Sequence, residues 1–141
     1  ENLLAKYLGI RNTVDSAFDT IARGVPVKLD AGRVGDRAFL LMCTCGFDAD
    51  VVFRLDEARQ GNIHHLTYLK PIYESVRRYQ YPEMTVTLNG DESTFSARWA
   101  FAFNLPCYAL GIPISPRATG EDGLLDVCTF QGRSFRTTMK Y

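Results

Sequence analysis

The feature that most limits the fold is a change of period at Tyr81. From there the chain stops repeating at helical spacing and begins to alternate. Met84-Thr85-Val86-Thr87-Leu88 alternates as a half-buried strand does, Asn89-Gly90 is a hairpin signal, and Ser93 to Phe103 alternates again. Leu124 to Phe130 reads as a final strand, and Cys107 to Ile114 as another before it. A run of antiparallel strands must bury one face against a second layer. The expected class is therefore mainly β (α+β): an antiparallel β-sandwich with an N-terminal helical segment and one inserted helical region.

The helical segment occupies residues 1–24, and the sandwich domain 25–141. Residues about 2–10 and 14–23 read as two short helices. In the second, Val14, Phe18, Ile21 and Ala22 recur at helical spacing, Thr13 caps the start and Gly24 ends it. Val25 to Ala31 alternates as a strand, Gly35-Asp36 suits a hairpin turn, and Ala38 to Cys45 reads as a buried strand. Gly46-Phe47-Asp48 breaks that strand and opens a helix with Asp48 as N-cap. A further helix over about 64–79 places Leu66, Leu69, Ile72, Tyr73 and Val76 on one face. Pro71 is expected to kink or divide it.

Composition excludes little but is useful on two points. Sixteen basic residues balance sixteen acidic ones, which argues against a nucleic-acid partner. No apolar run is long enough to span a bilayer, and no signal peptide is visible. The expected location is cytoplasmic, peripheral at the membrane. Cys43, Cys45, Cys107 and Cys128 are expected as buried, reduced thiols. With only His64 and His65 to join them, their spacing does not suit zinc.

No complete catalytic device is present: no P-loop, no nucleophile elbow, no zinc-protease helix. Gly32-Arg33-Val34-Gly35 reads as a turn. Thr119-Gly120-Glu121-Asp122-Gly123-Leu124 has two readings. It is a simple turn into the last strand, or it offers a carboxylate oxygen and backbone carbonyls to a hard cation.

Several blocks resemble, in order, the diacylglycerol kinase catalytic family, which includes bacterial lipid kinases and sphingosine kinases. They are Glu1-Asn2-Leu3-Leu4-Ala5-Lys6-Tyr7-Leu8-Gly9-Ile10, Leu29-Asp30-Ala31-Gly32-Arg33-Val34, Cys45-Gly46-Phe47-Asp48-Ala49-Asp50-Val51, Phe103-Asn104-Leu105-Pro106, Ile114-Ser115-Pro116-Arg117-Ala118 and Glu121-Asp122-Gly123-Leu124-Leu125-Asp126-Val127. The resemblance implies a C-terminal β-sandwich domain partnered by an N-terminal nucleotide-binding domain, whose Gly-Gly-Asp-Gly-Thr loop would precede Glu1. The implied activity is ATP-dependent phosphorylation of a lipid hydroxyl, with ATP and Mg²⁺ as cofactors and diacylglycerol or a sphingoid-like lipid as partner.

By the same resemblance Asn2 is the cofactor-binding residue, although Leu3 stands where the family commonly has aspartate. Asp122, with the carbonyls of Thr119 and Leu124, is the Mg²⁺ site. The general base, in an Asp-Gly-Glu motif, would follow Tyr141. Asn89-Gly90-Asp91-Glu92 precedes the Asp122 block, so it reads as a hairpin turn instead. Tyr108-Ala109-Leu110-Gly111 keeps one glycine of a stretch richer in glycine in the family.

Phe47, Phe53, Tyr68, Phe101, Phe103 and Tyr108 either line walls for acyl chains or form plain core. Lys70, Arg77 and Arg78 either face anionic lipid or form a solvated helix face. A homodimer is a further expectation. The alternatives in function are a non-catalytic ligand-binding or interaction module on the same sandwich, and a NAD kinase-like enzyme.

Overall fold

A computed structural model describes residues 2–57, 69–88, 93–108, 112 and 114–132. Helices α1 (Leu3–Tyr7) and α2 (Val14–Arg23) come first, followed by strands β1 (Gly32–Val34), β2 (Arg37–Phe39) and β3 (Met42–Gly46). Helices α3 (Phe47–Glu57) and α4 (Leu69–Arg78) follow, then β4 (Met84–Thr87), β5 (Thr94–Ala97), β6 (Trp99–Phe103) and β7 (Asp126–Phe130). The strands form a β1–β2 hairpin, a β4–β5 hairpin and a three-stranded sheet in the order β3–β6–β7. All three sheets are antiparallel, and the α+β class of sandwich type holds. The chain divides into two compact units: Glu1–Cys43 with Ala102–Cys128, and Thr44–Phe101 with Thr129–Tyr141.

In the first unit, α2 forms as its caps dictate. The Thr13 side chain accepts from Ser16 N, Asp15 and Arg23 sit at the ends that complement the helix dipole, and Gly24 N closes on Thr20 O. Its apolar stripe is nevertheless uncovered among the described residues: Val14, Phe18 and Ile21 are all exposed, Ile21 at 85%. The strand expected over Val25–Ala31 does not form. Alternation supplied a face, but the segment has no ladder partner, and Val25 and Val27 lie exposed. Gly35-Asp36 does make the β1–β2 turn, with Arg33 opposite Ala38.

The run Ala38–Cys45 is two strands, not one. It breaks at Leu40-Leu41, whose carbonyls turn to other partners: Leu41 O accepts from the backbone N of Asn104 and of Leu105. No strand occurs among the described residues of Cys107–Ile114. The Leu124–Phe130 strand begins two residues later, at Asp126.

In the second unit, the core is aromatic. Phe47 stacks on Trp99 (centroids 4.8 Å apart) and on Tyr81 (5.5 Å), and Phe130 meets Phe101 edge-on at 5.8 Å. Val51 and Leu55 extend the buried face of α3. Phe47 is the first residue of α3, so Asp48 lies inside the first turn and is not the N-cap. Its charge still favours that end of the dipole. Gly46 ahead of it has φ +101°, and a Cβ there would sit 2.5 Å from Arg98 O. Only glycine suits that approach.

Helix α4 buries Pro71 and Ser75, whereas Leu69, Tyr73 and Val76, three of the residues expected on one face, are exposed. The stretch 64–68, on whose continuity with α4 the kink or break expected at Pro71 depends, lies outside the described residues.

Strands β4 and β5 pair with Met84 opposite Ala97 and Thr87 opposite Thr94. The Asn89-Gly90 turn expected between them lies outside the described residues. The alternating run Ser93–Phe103 is split at Arg98, whose backbone N donates to Phe130 O, so β5 and β6 belong to different sheets. The Arg98 guanidinium also donates to Tyr81 O and, at 3.2 Å, to Glu83 Oε2.

Candidate functional site: a turn anchored by Asp30 and Asn104

The loop that carries the proposed metal residues is held from within the first unit. Asp30 makes three bonds around it. Its N–H donates to Gly120 O at 2.7 Å, its Oδ2 accepts from Gly123 N at 2.7 Å, and its carbonyl accepts from Asn104 Nδ2 at 2.8 Å. Asn104 is 1% exposed and its Nδ2 also donates to Leu40 O at 2.8 Å. Its Oδ1 is buried and has no hydrogen-bond partner among the described residues. Such an atom usually finds a water or a ligand group, because leaving it unmet costs about 1–3 kcal/mol. Gly120 packs directly on Leu105 and Leu29, and Ala118 and Ser115 are buried beside it in sequence.

Asp122 itself faces outward. Its Oδ1 accepts from Leu124 N at 3.0 Å, which closes an Asx turn, and Gly123 at φ +74° lets the chain reverse. Thr119 is half-buried and Leu124 exposed. Thus Thr119, Asp122 and Leu124 share one loop fixed at its base and open at its tip. The donors are all oxygen, which suits a hard cation. No group of three or more His, Cys, Asp or Glu among the described residues could hold a metal ion, so a cation here would depend on backbone carbonyls beside Asp122.

Asn2 is placed as the N-cap of α1, its Oδ1 accepting from Ala5 N at 3.1 Å. That bond occupies the oxygen with helix capping, and Asn2 is exposed. Asp30 and Asn104 were not singled out as site residues from sequence. The only signal was their presence in two of the ordered blocks.

The aromatic residues sort cleanly. Phe47, Phe101 and Phe103 are core, Phe53 is exposed, Tyr108 is half-buried with its ring 6.4 Å from that of Phe103, and Tyr68 lies outside the described residues. All four cysteines are free thiols, but none is fully buried and Cys45 is exposed on β3.

A second polar cluster joins α3 to α4. Arg54 Nε donates to Asp50 Oδ2 at 2.8 Å, and the Ser75 hydroxyl donates to the same oxygen at 2.6 Å. Burial pushes the Asp50 carboxyl up, but the hydrogen bonds from Arg54 and Ser75 and the Arg54 charge outweigh it, leaving the pKa below its ordinary value. Nearby, burial and then the charges of Cys45 and Asp50 raise the Tyr79 phenol.

The model of the YegS C-terminal NAD kinase beta sandwich-like domain matches residues 42–141. The chain belongs to this family. The YegS C-terminal domain assignment covers β3 through the Asp122 turn and beyond, and agrees with the resemblance read from the ordered blocks. The solved structure of a diacylglycerol kinase from Bacillus anthracis str. Sterne is similar at a TM-score of 0.61 and 21% identity, over 92% of this chain and 42% of that one. The uncharacterized protein sll0036 of Synechocystis sp. is 25% identical over 130 residues, 89% of this chain and 29% of its own length. The chain therefore spans less than half of either relative.

Proposed function

We propose that this YegS C-terminal-type chain is the acceptor-side domain of an ATP-dependent lipid kinase that phosphorylates the hydroxyl of diacylglycerol or a related lipid. The observation that carries the reading is the family membership of residues 42–141. The Asp122 loop, anchored by Asp30, supports it. Phosphoryl transfer needs an in-line alcohol, a base for its proton and positive charge on the phosphoryl oxygens. The family's Gly-Gly-Asp-Gly-Thr and Asp-Gly-Glu motifs do not occur within residues 1–141. In this reading the phosphate loop and the base come from an N-terminal nucleotide-binding domain and from a segment after Tyr141. Residues 1–141 contribute the lipid side and the Asn2 donor toward ATP.

Mg²⁺ would be held by the Asp122 carboxylate with the carbonyls of Thr119 and Leu124. Bound there, it would supply positive charge that stiffens the open tip of the loop, while Asp30 and Asn104 fix its base. A second reading, with NAD as the acceptor, is favoured by the NAD kinase-like sandwich named in the family description.

The test is transfer of ³²P from ATP, with Mg²⁺, by the full-length protein. Diacylglycerol and a sphingoid base in mixed micelles, and NAD in solution, are offered in parallel. Label is expected in lipid. Label in NAD alone selects the second reading, and no label in any acceptor overturns both. Asp122→Ala is expected to shift the Mg²⁺ dependence upward by at least about ten-fold, since loss of a group that only supports a ligand already costs that much. Unchanged activity and metal dependence would remove the metal role.

A further inference from the structure

In an extended chain the N–H and C=O of one residue point to the same edge, and those of the next residue to the opposite edge. Residues 24–31 lie in neither helix nor strand, and Pro26 holds Val25 in extended backbone. Asp30 directs both of its backbone groups one way. Its N–H donates to Gly120 O at 2.7 Å, and its carbonyl accepts from Asn104 Nδ2 at 2.8 Å. By alternation Pro26 and Lys28 share that edge, so the N–H that proline lacks is missing on the side toward Gly120. The opposite edge belongs to Val25, Val27 and Leu29. It carries an unbroken row of donors and acceptors, and none of them meets a backbone partner among the described residues. Val25 and Val27 also leave their side chains 85% and 58% exposed, while Leu29 reaches Gly120.

From this arrangement we infer that the Val25–Leu29 edge takes a β-strand supplied by the part of the same polypeptide that follows Tyr141. The position of proline is the first argument. A strand tolerates proline where the missing N–H faces away from the ladder, and here the intact edge is the open one. An alternating apolar edge left bare would pair with any passing chain, which folded proteins prevent by covering it. The second argument is length. The chain spans 42% of the solved relative and 29% of the Synechocystis one, so more than half of each has no counterpart in residues 1–141. A second copy fits less well. It would join five residues to five, far short of the roughly 1,200 Å² that a stable interface buries. The choice of the segment after Tyr141 rests on the lipid-kinase reading, which takes its base from there. Asp30 ends the edge and ties it to Gly120 and Gly123, so a strand laid along Val25–Leu29 leads to the Asp122 loop.

The test uses full-length protein. Amide hydrogen exchange is followed by NMR after labelling at valine, leucine and lysine. The N–H groups of Val25, Val27 and Leu29 are expected to exchange at least about ten-fold more slowly than that of Lys28, which points to the other edge. Equally fast exchange at all four overturns the inference, and this measurement needs no substitution. The partner is then identified by placing p-benzoylphenylalanine at Val27 or, separately, at Val25, irradiating, and locating the cross-link by mass spectrometry. The cross-link is expected in the segment after Tyr141. Cross-linking to residues before Glu1, to a second copy, or to no protein segment from either position overturns the inference. Cross-linking after Tyr141 in a protein that labels no lipid would keep the pairing and sink the lipid-kinase reading. Lipid labelling with a cross-link elsewhere would do the opposite.

Discussion

Ser75 is fully buried, and its hydroxyl donates to the one carboxylate that also holds Arg54. A hydrogen bond to a charged acceptor contributes about 1.5–3 kcal/mol. Ser75→Ala is expected to lower stability by about that much near pH 7, read from urea denaturation. Asp50 has its folded-state pKa below the ordinary 3.8, so its contribution is present above that value and is lost as pH falls through the folded one. The cost of Ser75→Ala should therefore shrink as pH falls below 3.8 and through the lower folded-state value, because a protonated Asp50 is a weaker acceptor. A cost that stays constant with pH would show that Asp50 does not supply it. Asp30 and Asn104 show the same dependence on distant partners. Asn104 reaches back 74 positions to Asp30, and Asp30 forward 93 to Gly123, so no local pattern reveals either bond.

At the scale of elements, backbone geometry decides more than side-chain pattern. Gly46 joins β3 to α3 at φ +101°, with Arg98 O in the space a Cβ would occupy. Gly46→Ala is expected to cost at least about 1–3 kcal/mol from the backbone alone, and more from the contact with Arg98 and Trp99. A lowered denaturation midpoint with an unchanged slope would bear this out, and wild-type stability would refute it. The same Arg98 explains why one alternating run became two strands. Its backbone bonds to Phe130 while its side chain satisfies Tyr81 O, so β5 can stay with β4 while β6 joins β3 and β7. Alternation over Ser93–Phe103 foretold strand but could not foretell a change of sheet. Helix α2, by contrast, was legible in full, because Thr13, Asp15, Arg23 and Gly24 all act within one turn of an end.

At the scale of the molecule, the chain covers 29% of one relative and 42% of another, so the proposed kinase activity is a prediction for the full-length protein. Residues 1–141 assayed alone should give no turnover under conditions where the full-length protein labels lipid. Turnover by this piece alone would contradict the assignment of base and phosphate loop to other segments. The amino-acid sequence by itself determined the class of fold, the capped helix α2, the strands β4 and β5, and the ordered blocks that carry family membership. Each of these depends on residues a few positions apart. Three-dimensional packing alone decided that Val25–Ala31 forms no strand, that Asp30 and Asn104 anchor the Asp122 loop, and that Leu69, Tyr73 and Val76 of α4 lie exposed. The reason is that a period marks which residues share a face, whereas burial and hydrogen-bond pairing depend on what distant segments bring against that face.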